Sequence, residues 1–421
     1  MKPPSSRHGI TLSDIHEAYD RVRPVITQTP LMLNARLSSQ YGAEIYLKRE
    51  DLQVVRSYKI RGAYNLIGSL SRAERAQGVV AASAGNHAQG VALSCALLKV
   101  QGRIFMPRNT PKQKIERVGV FGGKWVELEI IGDTFDEASG LARAYAAQTS
   151  TIFVPPFDDV RTIAGQATVA HEIWSQLGGS PDIIVAPIGG GGLISGLATY
   201  SQLVQADATI YGAEPEGVPS MYESLRQGKV VTIENINTFV DGAAVKTPGK
   251  LTFEIVRDLV KTVYLVPEGK ICTEMIKLYQ SDGIIAEPAG ALAIAALDKV
   301  AKAIAGKKVV VIVSGGNNDI ARYSEVIERS LVYEGLKHYF IVNFPQRPGA
   351  LRRFLDDILG EHDDITLFEY LKRSNRDFGP ALVGLELGGA DDLPGLLQRM
   401  AAVGIAYEKV EPDSPLFRFI V

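Results

Sequence analysis

The chain has little of several things, and each scarcity removes a class of function. Cysteine is nearly missing: Cys95 and Cys272 stand far apart in apolar, helix-like surroundings, with neither a CxxC pair nor a Cys/His cluster. A structural zinc site is therefore not expected, and two buried free thiols suit a reducing compartment. Neither sign of charge dominates. The 45 Lys and Arg against 47 Asp and Glu give a formal charge of -2, and there is no long basic run, which argues against a nucleic-acid partner. No uninterrupted apolar run reaches membrane-spanning length, so no membrane partner is expected. Residues 1–8 are polar and rich in Pro and Ser, without the apolar core of a signal peptide. The expectation is a cytoplasmic protein.

What is present suffices for two or three domains: 421 residues, 46% of them hydrophobic. Ser13 reads as the N-cap of a helix with Ile15, Ala18, Tyr19 and Val22 on one face, interrupted by Pro24. Beyond it, short Val/Ile-rich runs alternate with helical patterns. Val79–Ala82, Arg103–Met106, Trp125–Ile131, Thr151–Val154, Asp182–Ala186, Thr209–Tyr211, Val263–Val266 and Val309–Val313 read as strands. A helix is predicted to start at Thr110 and Pro111 as N-cap and N1. Unbroken apolar strands joined by helices imply parallel sheets covered on both faces, an α/β domain of two lobes. Around Glu334 the pattern changes. His338–Asn343, Pro348–Leu359, Ile365–Tyr370, Ala381–Leu387, Leu393–Val403 and Ala406–Val410 spell β-α-β-β-α-β, the α+β ferredoxin-like order. The predicted division is 1–333 and 334–421.

Four segments carry the chemical signal. In Ser57-Tyr58-Lys59-Ile60-Arg61-Gly62-Ala63, Lys59 sits in an apolar, Gly/Ala-rich turn after the charged run Lys48–Asp51. Partial burial there would lower its pKa and free the amine to form a Schiff base. Gly189, Gly190, Gly191 and Gly192, then Leu193, follow the strand at 182–186. Four glycines bare successive N–H groups, and the next helix aims its positive end at them: a phosphate cradle, or else a flexible loop. The spacing is neither GxGxxG nor a P-loop. Ser83-Ala84-Gly85-Asn86-His87 opens a helix and suits a carboxylate, with Asn86 offering its amide to a ring oxygen. His87 is either a general base or a hydrogen-bonded residue capping the helix. In Ser314-Gly315-Gly316-Asn317, Ser314 suits a heteroaromatic nitrogen, unless the segment is only a tight turn. Amine, cradle, amide and hydroxyl together complement the aldehyde, phosphate, ring oxygen and pyridine nitrogen of pyridoxal 5′-phosphate. A serine rather than an acid opposite the nitrogen suits β-elimination more than transamination.

These segments, with Lys48-Arg49-Glu50-Asp51-Leu52, resemble in order and register the serine/threonine dehydratases, over about Ile10 to Tyr333. Those are fold type II pyridoxal-phosphate enzymes of the tryptophan synthase β-like group. The tail, through Phe344–Leu351, Ile365–Tyr370 and Val383–Glu386, resembles the ACT-like regulatory domain of biosynthetic threonine dehydratases, in the form with a single module. The resemblance implies that Lys59 holds the cofactor and later takes the substrate α-proton. It implies that Asn86 contacts O3′, Gly189 to Leu193 the phosphate and Ser314 the pyridine nitrogen. Ser83, Ala84, Gly85, Asn86 and His87 would receive the substrate carboxylate.

The implied reaction converts L-threonine to 2-oxobutanoate and ammonia, the first step toward isoleucine. Isoleucine, and valine with opposite effect, would act through the tail of a homotetramer. L-Serine is the second candidate substrate. A cysteine-synthase-like enzyme and an amino-acid sensor with a vestigial catalytic part are the other readings. Ala84 replaces the serine of the related racemases, so racemisation should be poor. Ala167 stands where glycine is expected in Thr162–Thr168, implying a slightly tighter turn. Glu214 reads as a loop carboxylate; Val218 and Ser220 after it make a poor cage for a hard cation, so no metal is expected.

Overall fold

The computed structural model describes residues 8–370, 377–412 and 414–420; nearly all of the polar start, 1–7, lies outside them. The chain forms two compact units, Met1–Glu268 with Leu278–Asn318, and Gly269–Lys277 with Asp319–Val421. In the first, a six-stranded sheet runs in the order Leu31–Leu33, Glu44–Arg49, Lys308–Val313, Ile183–Pro187, Thr209–Pro215, Thr262–Val266. Every pairing is parallel except that of the edge strand Leu31–Leu33. A second sheet, all parallel, runs Val126–Ile130, Gly102–Met106, Val79–Ala82, Ile152–Phe153. Both lobes of the expected α/β domain are therefore present. The unbroken Val/Ile strands are buried on both faces, as parallel sheets require.

Several local expectations shift. The first helix, Leu12–Val22, is capped by Thr11, because Thr11 and Asp14 satisfy each other's N–H groups in a capping box. Ser13 instead bonds to Glu17. The helix Lys112–Gly122 starts after Pro111, since the Thr110 hydroxyl turns back to the Pro107 carbonyl at 2.6 Å. Ala167 is in no turn: Thr162–Thr168 lies inside the helix Val160–Leu177. That helix is a packing hub. A Cβ on Gly165 would meet the Arg61 carbonyl at 2.6 Å, and one on Gly196 would meet the Ala167 nitrogen at 2.6 Å. The helices Lys59–Ser69 and Gly192–Leu203 thus lie against it nearly backbone to backbone.

At the first of these contacts lies a buried cluster of charges that crosses the lobe. Arg61 spends all five N–H donors on Glu50, Glu172 and Thr168, at 2.8–3.1 Å. Lys48 bonds to Glu172 at 2.6 Å and to the Thr29 carbonyl at 2.7 Å. All four charged side chains are fully buried, two of each sign. Burial alone would raise the Glu50 pKa, but the Arg61 guanidinium outweighs it and holds the carboxyl below its ordinary value.

In the second unit, the antiparallel sheet runs Asp364–Tyr370, Phe378–Glu386, Lys337–Pro345, Tyr407–Val410. The helices Ala350–Ile358 and Leu393–Ala402 cover it through Phe340, Phe344, Phe354, Leu396 and Met400. This is the ferredoxin-like order. Cys95 and Cys272 are both buried and not joined in a disulfide. Among the described residues, no helix is long and apolar enough to cross a membrane.

Removing one partner of a buried, fully bonded ion cluster strands the others without water. Arg61→Ala is expected to lower unfolding free energy by about 3–5 kcal/mol, read as a fall in the urea midpoint. An unchanged midpoint would refute the structural weight given to the cluster.

Candidate active site

Lys59 is the first residue of the helix Lys59–Ser69 rather than part of a turn. Its approach is fixed by the strand turn at the far end of the chain: the Tyr58 N–H donates to the Ser314 carbonyl at 3.2 Å, and Ser57 bridges Gly315. Gly90, on the helix Asn86–Leu98, closes the other side; a Cβ there would come within 3.1 Å of the Lys59 carbonyl. The Lys59 amine donates to the Pro156 carbonyl at 3.2 Å. Three of the four segments therefore meet at Lys59.

The fourth meets it across the next residue, Phe157. A Cβ on Gly190 would lie 2.1 Å from the Phe157 ring. Gly191 has φ of +92°, a left-handed conformation that disfavours any side chain. The turn is thus packed tightly, and the flexible-loop alternative does not describe it. The Gly190 carbonyl accepts from Thr252 at 2.6 Å, while Asp158 accepts three N–H groups at the start of the helix Lys250–Leu259. By contrast, the N–H groups of Gly189 to Leu193 find no acceptor among the described residues, though Gly190 to Leu193 are buried. Successive unpaired donors at a helix N-terminus fit the phosphate of pyridoxal 5′-phosphate.

Ser314 is buried, with its hydroxyl on the Ala289 carbonyl at 3.1 Å. Rotation of the O–H would turn its hydrogen to a ring nitrogen. At the Asn86 turn, the Gly85 N–H is taken by the Ser83 hydroxyl at 3.1 Å. The N–H groups of Ala84, Asn86 and His87 have no acceptor among the described residues. They remain for an anion. His87 is buried and shares a 2.8 Å hydrogen bond with the Val154 carbonyl. Burial, then the charge of Lys59, pushes its pKa down to about 3, so near pH 7 it is neutral and its one N–H is donated to that carbonyl. It ties the helix Asn86–Leu98 to the end of a strand instead of capping a helix.

Some functional neighbours escape the sequence pattern. Asn86 Nδ2 donates to Glu287 Oε1 at 2.6 Å, and Asn86 Oδ1 accepts from Asn317 Nδ2 at 2.7 Å. Arg117 in turn donates to Asn317 Oδ1 at 2.7 Å. Glu287 precedes Pro288 at a helix start, where an acid reads simply as an N-cap; yet its side chain makes no cap bond. Glu214 is no loop carboxylate. It ends a strand, is fully buried, and accepts the N–H groups of Met221 and Tyr222 at 2.8 Å each. Burial nonetheless pushes it up to about 7. Among the described residues, no group of three or more His, Cys, Asp or Glu side chains could hold a metal ion.

Residues 22–315 match the family of pyridoxal-phosphate dependent enzymes, and residues 328–420 match the C-terminal regulatory domain of threonine dehydratase. The biosynthetic L-threonine dehydratase of Mycobacterium tuberculosis is 53% identical over 99% of this chain and 98% of its own length. That of Bacillus subtilis is 49% identical over 100% of both. Among solved structures, the processed form of threonine deaminase isoform 2 from Solanum lycopersicum has a TM-score of 0.71 at 38% identity, covering 78% of this chain and 96% of its own. Maize serine racemase has a TM-score of 0.70 at 32% identity, covering 77% and 98%. The chain belongs to the biosynthetic L-threonine dehydratase family of pyridoxal-phosphate dependent enzymes.

Proposed function

We propose that this chain is a cytoplasmic L-threonine ammonia-lyase, converting L-threonine to 2-oxobutanoate and ammonia as the first step toward isoleucine. Residues 1–333 form its catalytic domain and 334–421 an ACT-like regulatory domain that binds isoleucine. The assembly is a homotetramer. The observation that carries the catalytic reading is the row of unpaired N–H groups at Gly189–Leu193, set across Phe157 and Pro156 from the Lys59 amine. The full-length similarity to biosynthetic L-threonine dehydratases supports the substrate.

When bound, pyridoxal 5′-phosphate supplies an electron sink at the substrate α-carbon. Lys59 would hold it covalently, and the Lys59 Nζ amine would take the substrate α-proton. In net terms, the substrate loses its α-proton and β-hydroxyl together as one water, and one water returns when the enamine hydrolyses to oxo acid and ammonia. The Gly189–Leu193 donors would hold the phosphate. Asn86 and Ser314 would hold the ring at its oxygen and nitrogen. The free N–H groups of Ala84, Asn86 and His87 hold the substrate carboxylate. Neutral His87, its one N–H committed to the Val154 carbonyl, is a poor second proton donor, and Ala84 offers no hydroxyl, so racemisation is poor.

Lys59→Ala is expected to abolish both the visible absorption of the holoenzyme and 2-oxo acid release from L-threonine; retained turnover would refute the assignment. L-Serine lacks one methyl, so kcat/KM should differ between the two substrates by about 10–200-fold, measured in the same oxo-acid assay. Isoleucine should shift the L-threonine saturation curve of the full chain to higher concentration. An unmoved curve, with no heat of isoleucine binding, would refute the regulatory reading.

A further inference from the structure

We propose that Glu287 is a positioning residue for the cofactor: with Asn317 it clamps the Asn86 amide so that one Asn86 N–H faces the ring oxygen. The inference rests on the cofactor reading above and adds to it the group that sets the donor.

The clamp is two-sided. Asn86 Oδ1 accepts from Asn317 Nδ2 at 2.7 Å, while Asn86 Nδ2 donates to Glu287 Oε1 at 2.6 Å. An amide flipped by 180° would set its oxygen against a carboxylate oxygen and its NH2 against the NH2 of Asn317. The NH2–NH2 contact repels whether or not Glu287 is protonated, so a single orientation survives. One hydrogen of Nδ2 is spent on Glu287, and the second stays available. Asn317 is itself oriented, by Arg117 Nη1 on its oxygen at 2.7 Å and by the Val55 carbonyl under its nitrogen at 2.8 Å.

The fold also makes room for this carboxylate. A Cβ on Gly315 would lie 2.2 Å from Glu287 Oε1, so a side chain at 315 and the carboxylate exclude each other. The Glu287 N–H donates to the Gly315 carbonyl at 3.1 Å, which ties the acid to the Ser314 turn. Glu287 starts the helix Pro288–Ala295, yet its side chain leaves that helix uncapped and reaches Asn86 instead. The position costs stability. Burial, then Asp241, pushes the carboxyl up to about 7. An N-cap alone would be met better by a short, exposed Ser or Asp.

The test is cofactor uptake by the full-length apoenzyme, followed by titration with pyridoxal 5′-phosphate for Kd and by the position of the visible band. Asn86→Ala, Glu287→Ala, Glu287→Gln and the Asn86→Ala/Glu287→Ala double variant are compared. Loss of one buried, charge-assisted hydrogen bond predicts that Glu287→Ala raises Kd by about 10–100-fold and moves the band. Glu287→Gln, which keeps a carbonyl for Asn86, should recover most of the loss. Because Glu287 acts through Asn86, Glu287→Ala should add less than about 2-fold in the Asn86→Ala background.

Unchanged Kd in Glu287→Ala, with a raised Kd in Asn86→Ala, would overturn the proposal while leaving the cofactor reading intact. So would independent, multiplying effects in the double variant. An Asn86→Ala chain that binds like the wild type would overturn the role of Asn86 and the clamp with it. A wild-type chain that takes up no pyridoxal 5′-phosphate would sink the cofactor reading itself.

Discussion

Everything near Lys59 depends on the placement of one guanidinium. Arg61 lies two residues beyond Lys59 on the same helix, and its five donors are fixed by groups from distant parts of the chain. Glu50 comes from the 3-10 turn that follows the strand Glu44–Arg49, and Glu172 and Thr168 from the helix Val160–Leu177. The Lys59 helix is therefore held to sheet and helix at once, and it has little freedom to slide or rotate. Hydrophobic side chains of similar volume would match this in stability, because the desolvation of four ions is costly. They would not match it in direction. A fork of fixed geometry admits one register of helix on helix, and that register aims Lys59 at Pro156.

Close approach does the same work on the other side of the site. Gly165 and Gly196 let three helices meet near backbone distance, and Gly190 does so for the Phe157 ring. The cradle is rigid because it is crowded. Thr252, at the start of the Asp158-capped helix, holds the loop through the Gly190 carbonyl. Preorganised N–H groups need not reorganise when an anion arrives, which is where a crowded turn outperforms a flexible one.

Much of this was legible in the sequence, and the rest was hidden for physical reasons. Strands such as Val309–Val313 declare themselves, since burial on both faces demands unbroken β-branched residues. Glycine turns after such strands mark where ligands bind in α/β sheets. The tail's six elements were readable from alternation and helical periodicity. Strand Glu44–Arg49 was not, because it ends in Lys48 and Arg49, which look like a solvated charged run. Its partners reveal why charge is tolerated: Lys48 meets Glu172, 124 positions away, and Arg49 is clamped by Asp51. The Lys48–Glu172 pairing, over such a separation, leaves no local signature. Glu287 was masked differently, since Glu-Pro-Ala-Gly spells an ordinary helix start and only the direction of the side chain says otherwise.

Two acids in the catalytic unit make that last distinction concrete. Glu214 and Glu287 both end up near a pKa of 7, each raised chiefly by burial. For each, the folded state binds the proton more tightly than the unfolded chain does. Their stabilising contribution is therefore complete at low pH and is lost as pH rises through about 7, where the buried carboxylate must carry its charge. Both acids cost stability at neutral pH, and their partners differ in what they obtain for it. Glu214 is met by two backbone N–H groups and the Ser220 hydroxyl, all at the start of one helix, so its return is the attachment of that helix to a strand. Glu287 is met by a side-chain amide from another lobe, with Asp241 adding to the penalty and Lys114 relieving it. A helix start has cheaper solutions than that. The acid is placed where burial penalises its charge because, in the clamp proposed above, Asn86 needs an acceptor on one side only.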